Sequence, residues 1–111
     1  DDLNAILDSV NFYRSAKMPK GLFRGLKKAT DQLAVVNIIA AHADTNSEVV
    51  RQCVASMLAN LDKLAEINPL FKGLDKLFEP IRLHGKEAIE FGGVPVHSGA
   101  LQAYRDAGYL S

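Results

Sequence analysis

Eight apolar residues, Val50, Cys53, Val54, Met57, Leu58, Leu61, Leu64 and Ala65, fall on one stripe at helical spacing, with Glu48, Arg51, Gln52, Asp62 and Lys63 opposite. A helix of this kind draws its stability from covering its apolar face, so the chain must build a core around it. Its start is marked by Thr45-Asn46-Ser47-Glu48, a capping-box pattern. The Thr45 hydroxyl there takes the amide three residues on, and the Glu48 carboxylate returns to the Thr45 amide. The helix is expected to run to about Glu66, ahead of Asn68-Pro69, because the residue before a proline is pushed out of the helical region. Cys53 sits in the middle of the stripe and reads as a small core hydrophobe.

A second constraint is the continuous apolar run Leu33 to Ala40, rich in β-branched residues and broken only by Asn37. A strand covered on both faces has this pattern, and a buried helix shares it; the branching favours the strand. Such a strand needs neighbours on both edges, and the chain offers few other strand candidates, which suggests that part of the sheet lies elsewhere. Upstream, Leu3, Ile6, Leu7 and Val10 repeat at i, i+3, i+4, i+7 behind Asp1 and Asp2, a short amphipathic helix. From Asn11 to Thr30 periodicity is lost around Pro19, Gly21 and Gly25, so this is a loop with a strand-like piece. Downstream, Phe71, Leu74, Leu77 and Phe78 give one or two helical turns, Pro80 interrupts, and Ile81 to Phe91 resumes. After the Gly92-Gly93-Val94-Pro95-Val96 link, Ser98 is expected to cap a last helix carrying Ala100, Leu101, Tyr104 and Ala107, closed by Gly108.

Bulk properties exclude several functions. Lys and Arg total 13 and Asp and Glu total 13, so there is no basic excess of the sort a nucleic-acid binder uses, and no nucleic-acid partner is expected. The apolar run is far shorter than the ~20 residues of a membrane-spanning helix. No charged leader followed by an apolar segment is present, so any targeting signal is expected to have been removed or to lie outside this sequence. A single cysteine forms no internal disulfide and leaves the redox compartment open.

Chemistry-bearing groups are sparse. Cys53 with His42 or His97 as base is a formal nucleophile pair, but its place on the stripe favours packing. His84 with Glu87, and His42 with Asp44 at a strand end, are two-residue pairs without a third ligand, so no metal site is expected. Neither a catalytic set nor a cofactor motif can be assembled, and the chain is not expected to be an enzyme. Lys20, Arg24, Lys27 and Lys28 form the strongest positive cluster, read either as a solvated loop or as a steering patch for an anion. Within it, Pro19-Lys20-Gly21-Leu22-Phe23-Arg24-Gly25 lacks the ending of a phosphate loop. It still combines glycines that let a ligand approach with a ring and a guanidinium that can stack and pair with a carboxylate. The plain alternative is a turn with Arg24 exposed and Phe23 buried.

Several segments, in order, resemble the TAXI family of TRAP-transporter solute receptors. Pro19-Lys20-Gly21-Leu22-Phe23-Arg24-Gly25 is similar to that family's P-A-G-x-Y-x-G element and is followed by an apolar strand, Ala34 to Ala41. Asp44 to Val50 and Leu58-Ala59-Asn60-Leu61-Asp62 are similar to its acidic helix start and its ENLD stretch. Val94-Pro95-Val96-His97-Ser98-Gly99-Ala100 lies near H-P-G-A, and Tyr104-Arg105-Asp106-Ala107-Gly108 resembles the closing Y-Y-R-E-x-G. The likeness spans Tyr13 to Gly108. Lys20 stands for Ala, Phe23 for Tyr and Ser98 for Pro, departures that point to a differently tuned ligand.

The resemblance implies an α/β, two-lobed, periplasmic binding protein-like receptor that closes on its ligand by hinge bending. Residues 1–111 would be a single partial domain, the carboxy-terminal portion, predominantly helical with few strands. It implies a periplasmic protein that shares a small organic anion or amino acid with an amino-terminal lobe and passes it to TRAP permease subunits. Gly21, Phe23, Arg24 and His97 are the ligand contacts it implies. The rival reading is a free-standing helical interaction module that docks through the Glu48–Leu64 helix.

Overall fold

The computed structural model describes residues 2–10 and 13–111. Asp1 and Asn11, named above as a helix cap and a loop start, lie outside the described residues. The described residues form five α-helices, two short 3₁₀ turns and only two strands, so the chain is predominantly helical, as its sequence indicates. They divide into two compact units, one ending at Ile39 and the other spanning Ala40–Ser111.

The first unit holds α1 (Asp2–Ser9), β1 (Arg14–Met18) and β2 (Thr30–Ala34). The strands pair antiparallel, Arg14 opposite Ala34 and Met18 opposite Thr30, as a hairpin closed by residues 19–29. α1 rests against β2, its Leu3 and Leu7 half-buried. No described residue of this unit is buried, which is the expected state of a lone two-stranded ribbon with one short helix.

The apolar run departs from expectation. β2 begins three residues earlier than Leu33 and stops at Ala34, and residues 35–40 have no regular structure. Val35, Ile38 and Ile39 are 68%, 59% and 91% exposed rather than covered on both faces. The cause is the strand shortage: among the described residues β1 is the only partner in the sheet, and its pairing ends at Ala34.

The second unit contains α2 (Ser47–Ala59), α3 (Leu61–Ile67), a 3₁₀ turn at Pro69–Phe71, α4 (Leu74–His84), a second at Gly85–Ile89, and α5 (Ser98–Asp106). The expected long helix is two. At Asn60 the backbone amide donates to Met57 O at 3.1 Å, while the side-chain Nδ2 donates to Ser56 O at 2.7 Å. The asparagine side chain takes over the carbonyl its own amide would have served, which breaks the ladder. The helix start also sits one residue later than the capping box implies: Asn46 Oδ1 accepts from Glu48 N at 2.9 Å and Val49 N at 3.3 Å. The Glu48 carboxylate turns to Arg51 instead.

The core gathers Phe78 and Ile81 of α4 with Ala103 and Tyr104 of α5; Ile81 is 1% exposed. Val54, Met57, Leu58 and Leu61 of the predicted stripe pack against it. Cys53 is exposed, correcting its placement in the core. At about 100° per residue it lies roughly 60–70° from the stripe's centre, on its rim. Pro80 does not interrupt α4, which runs through it. Lys76 and Pro80 are both exposed, so the carbonyl deprived of its donor is open to water.

The chain end is held by two devices. Gly108, at φ +74°, closes α5 with Gly108 N donating to Arg105 O and Tyr109 N to Tyr104 O, the paired bonds of a Schellman motif. Tyr109 thereby meets Phe78 and Tyr104 edge-on, with ring centroids 6.0 and 6.3 Å away. The Arg82 guanidinium lies 4.4 Å from the centre of the Tyr109 ring and donates to Gly108 O at 3.1 Å. Burial, with Tyr109 beside it, lifts the Tyr104 phenol above its ordinary range.

Candidate functional site

Four residues were expected to contact ligand, and the two units divide them. Gly21, Phe23 and Arg24 lie on the β1–β2 turn of the first unit, and His97 lies in the second. The turn is closed by Gly21 N donating to Leu26 O at 3.0 Å, with Leu22 N to Pro19 O and Leu26 N to Phe23 O inside it. Gly21 and Gly25 hold φ of +83° and +94°, where only glycine is unstrained, so they set the reversal. Leu26 alone among residues 19–29 is half-buried. Phe23 is 60% exposed, against the plain reading that tucked its ring inside.

His97 is the best-positioned of the four. It precedes α5 as its N-cap, a role expected of Ser98, and its Nδ1 accepts from Gly99 N at 3.1 Å. A neutral ring whose Nδ1 accepts carries its proton on Nε2, so the edge turned from the helix presents one N–H donor. Ser98 Oγ is engaged elsewhere, 2.8 Å from Ser47 Oγ at the start of α2. Gly99 lets the two helix starts meet: a Cβ there would overlap the Ser47 carbonyl oxygen and come 2.9 Å from Arg51 N.

His97 lines an open groove of about 550 Å³ between Ala41–Ala43 and Val94–Ser98. Its polar groups are few, His42, His97 and Ser98, and its walls are Val94, Pro95, Val96 and alanines. This mixture of apolar wall and sparse polar groups suits a small organic ligand. His42 was read at a strand end; it stands in a turn, where Nδ1 accepts from Asp44 N at 3.3 Å and lies 3.5 Å from Asp44 Oδ2. The first contact needs Nδ1 bare and the second needs it protonated, so the exposed ring is not fixed as His97 is. Its share in the groove wall had no sequence signal, because more than fifty residues separate it from Val94.

The remaining sequence candidates stay apart. His84 ends α4 before the break at Gly85, both it and Glu87 are exposed, and they form no ion pair among the described residues. No group of three potential metal ligands occurs among the described residues. A smaller groove of about 360 Å³ beside Leu58 and Ala103 includes Arg82 and Asp106. Both side chains there are engaged within the protein, Arg82 with Gly108 O and Asp106 with Arg51 and Gln102. Arg51 is the centre of that network, bridging Glu48 at 2.7 Å and Asp106 at 3.0 Å, and so ties α2 to α5.

No helix among the described residues is long and apolar enough to cross a membrane. No curated protein and no solved structure matches the chain significantly. The NMT1-like family matches residues 1–108, nearly the whole chain. Its members are periplasmic binding-protein-like, with a general role as solute-binding receptors and a typically extracytoplasmic setting. By that match the chain belongs to the NMT1-like family.

Proposed function

We propose that this chain is the carboxy-terminal part of a periplasmic receptor that binds a small organic anion, an amino acid or carboxylate, and passes it to a TRAP-type permease without chemistry of its own. The family match over residues 1–108 carries the reading. The ordered TAXI-like segments between Tyr13 and Gly108 supply the TRAP assignment. Two structural features support it. His97 offers a fixed N–H donor at the wall of a largely apolar groove whose other polar side chains are His42 and Ser98, an arrangement suited to one carboxylate oxygen. No described residue of the first unit is buried, and Val35, Ile38 and Ile39 are left bare, as expected of a lobe whose remaining strands come from elsewhere. Gly21, Phe23 and Arg24 carry less of the ligand reading, because they occupy an exposed turn.

The test is a thermal-shift screen of the intact parent protein against amino acids and small carboxylates. At least one is expected to raise the melting temperature. His97→Asn keeps a capping acceptor at the start of α5 and removes the Nε2 donor, so it should leave the unliganded protein unchanged and reduce the ligand shift. If no compound stabilises the protein, the receptor reading fails. Full binding by His97→Asn takes the groove out of the site.

A further inference from the structure

We infer that the β1–β2 turn is a membrane-docking tip that seats this protein on an anionic lipid surface. Over the whole chain the charges balance, but residues 9–30 contain six cations, Arg14, Lys17, Lys20, Arg24, Lys27 and Lys28, and no Asp or Glu. The flanking Asp31 sits 3.8 Å from Lys17. Lys20, Arg24, Lys27 and Lys28 have no ion-pair partner among the described residues, and all four are exposed. Between them, at the end of the turn, Leu22 and Phe23 are 56% and 60% exposed. Adjacent large apolar side chains held out in water on a turn that also carries four exposed, unpaired cations are the complement of an anionic bilayer. The cations meet the headgroups while the two side chains enter the headgroup–acyl boundary.

A lipid surface fits better than an acidic protein. A specific protein interface takes about 800 Å² from each partner with matched shape, more than one hairpin turn supplies, whereas lipid binding asks only for charge and a short apolar tip. The turn is preset for this role. Gly21 and Gly25 fix the reversal and the half-buried Leu26 anchors it, so little conformational freedom is lost on docking. This role goes beyond ligand binding and stands whether or not a ligand is found.

The experiment is co-sedimentation of the full chain with vesicles of phosphatidylcholine containing about 30% phosphatidylglycerol, against phosphatidylcholine alone. Binding to the anionic vesicles only is expected. It should fall steeply from 0.1 to 0.5 M salt as the screening length shrinks from about 10 to about 4 Å. Each cation near such a surface is worth roughly five-fold in binding, so Lys27→Gln with Lys28→Gln should weaken it roughly 25-fold. Leu22→Ser with Phe23→Ser should also weaken it, showing that charge alone does not account for docking. Because the chain has no tryptophan, Phe23→Trp gives a single reporter whose emission should shift to the blue on anionic vesicles. Absence of binding at low salt, or wild-type binding by the double glutamine variant, overturns the inference. Equal binding to polyglutamate with no blue shift also overturns it, in favour of an acidic protein surface. Ligand-induced thermal shifts should be unchanged in the double glutamine variant, which separates this result from failure of the receptor reading.

Discussion

Replacing Gly99 with alanine sets two effects of opposite sign against each other. In a helix, Gly→Ala ordinarily stabilises by about 1 kcal/mol, because alanine loses less backbone freedom on folding. At Gly99 the added carbon would overlap the Ser47 carbonyl oxygen and stand 2.9 Å from Arg51 N and 3.0 Å from Ser47 C. These are backbone atoms of α2, and no rotamer change moves them aside; the two helices must separate. Overpacking of this kind costs roughly 1–3 kcal/mol, and rigid neighbours place it near the upper end, so the net loss is about 2 kcal/mol. A unit the size of Ala40–Ser111 has a total stability of roughly 4–11 kcal/mol, of which this is a large share. At roughly 4–8 °C per kcal/mol the melting temperature should drop by about 8–16 °C, measured by calorimetry or thermal circular dichroism. Adding Ser47→Ala to the variant should not restore it, since the clash is with main chain. An unchanged or raised melting temperature would refute the argument, because α2 and α5 would then not touch at this point.

Three further outcomes check other parts of the fold. Asn46→Ala should cost about 1 kcal/mol in urea unfolding, whereas Thr45→Ala should stay within ~0.5 kcal/mol; the reverse order would restore the capping box at Thr45. Glu48 is held at about 2, down from 4.5, chiefly by hydrogen bonds from Arg51 and then Gln52. Its folded value is depressed, so its contribution is complete above pH 4.5 and disappears as pH falls towards 2. Melting temperatures across that range should therefore fall less in Glu48→Gln than in the parent, and the difference should shrink in high salt because the group is exposed. Native Cys53 should react with a thiol reagent such as Ellman's nearly as fast as in urea; strong protection would put it back in the core.

Periodicity carried much of the fold. The stripe from Val50 to Ala65 identified the packed helices, and Gly108 the end of α5, because helix faces and left-handed closures are set within a few residues of sequence. The same locality explains the small errors. Thr45, Asn46, His97 and Ser98 are all competent caps, and choosing between neighbours depends on where the helix axes lie once packed. Asn60 shows the same ambiguity inside a helix: its side chain can serve the backbone or leave it alone, and here it replaces a ladder bond.

The candidate site was legible only as a set of residue types. His97 could be named, but its fixed tautomer and its groove depend on Gly99, on Val94–Val96 and on Ala41–Ala43, brought together across half the chain. What the sequence by itself determined is a mainly helical, strand-poor chain with one long apolar run and a segregated basic segment, because composition and period are properties of neighbours. Only the tertiary structure decided that Cys53 faces water, that Val35 to Ile39 find no sheet, and that Leu22 and Phe23 stand exposed among cations. Burial is a property of what the rest of the chain places nearby, and no local pattern contains it.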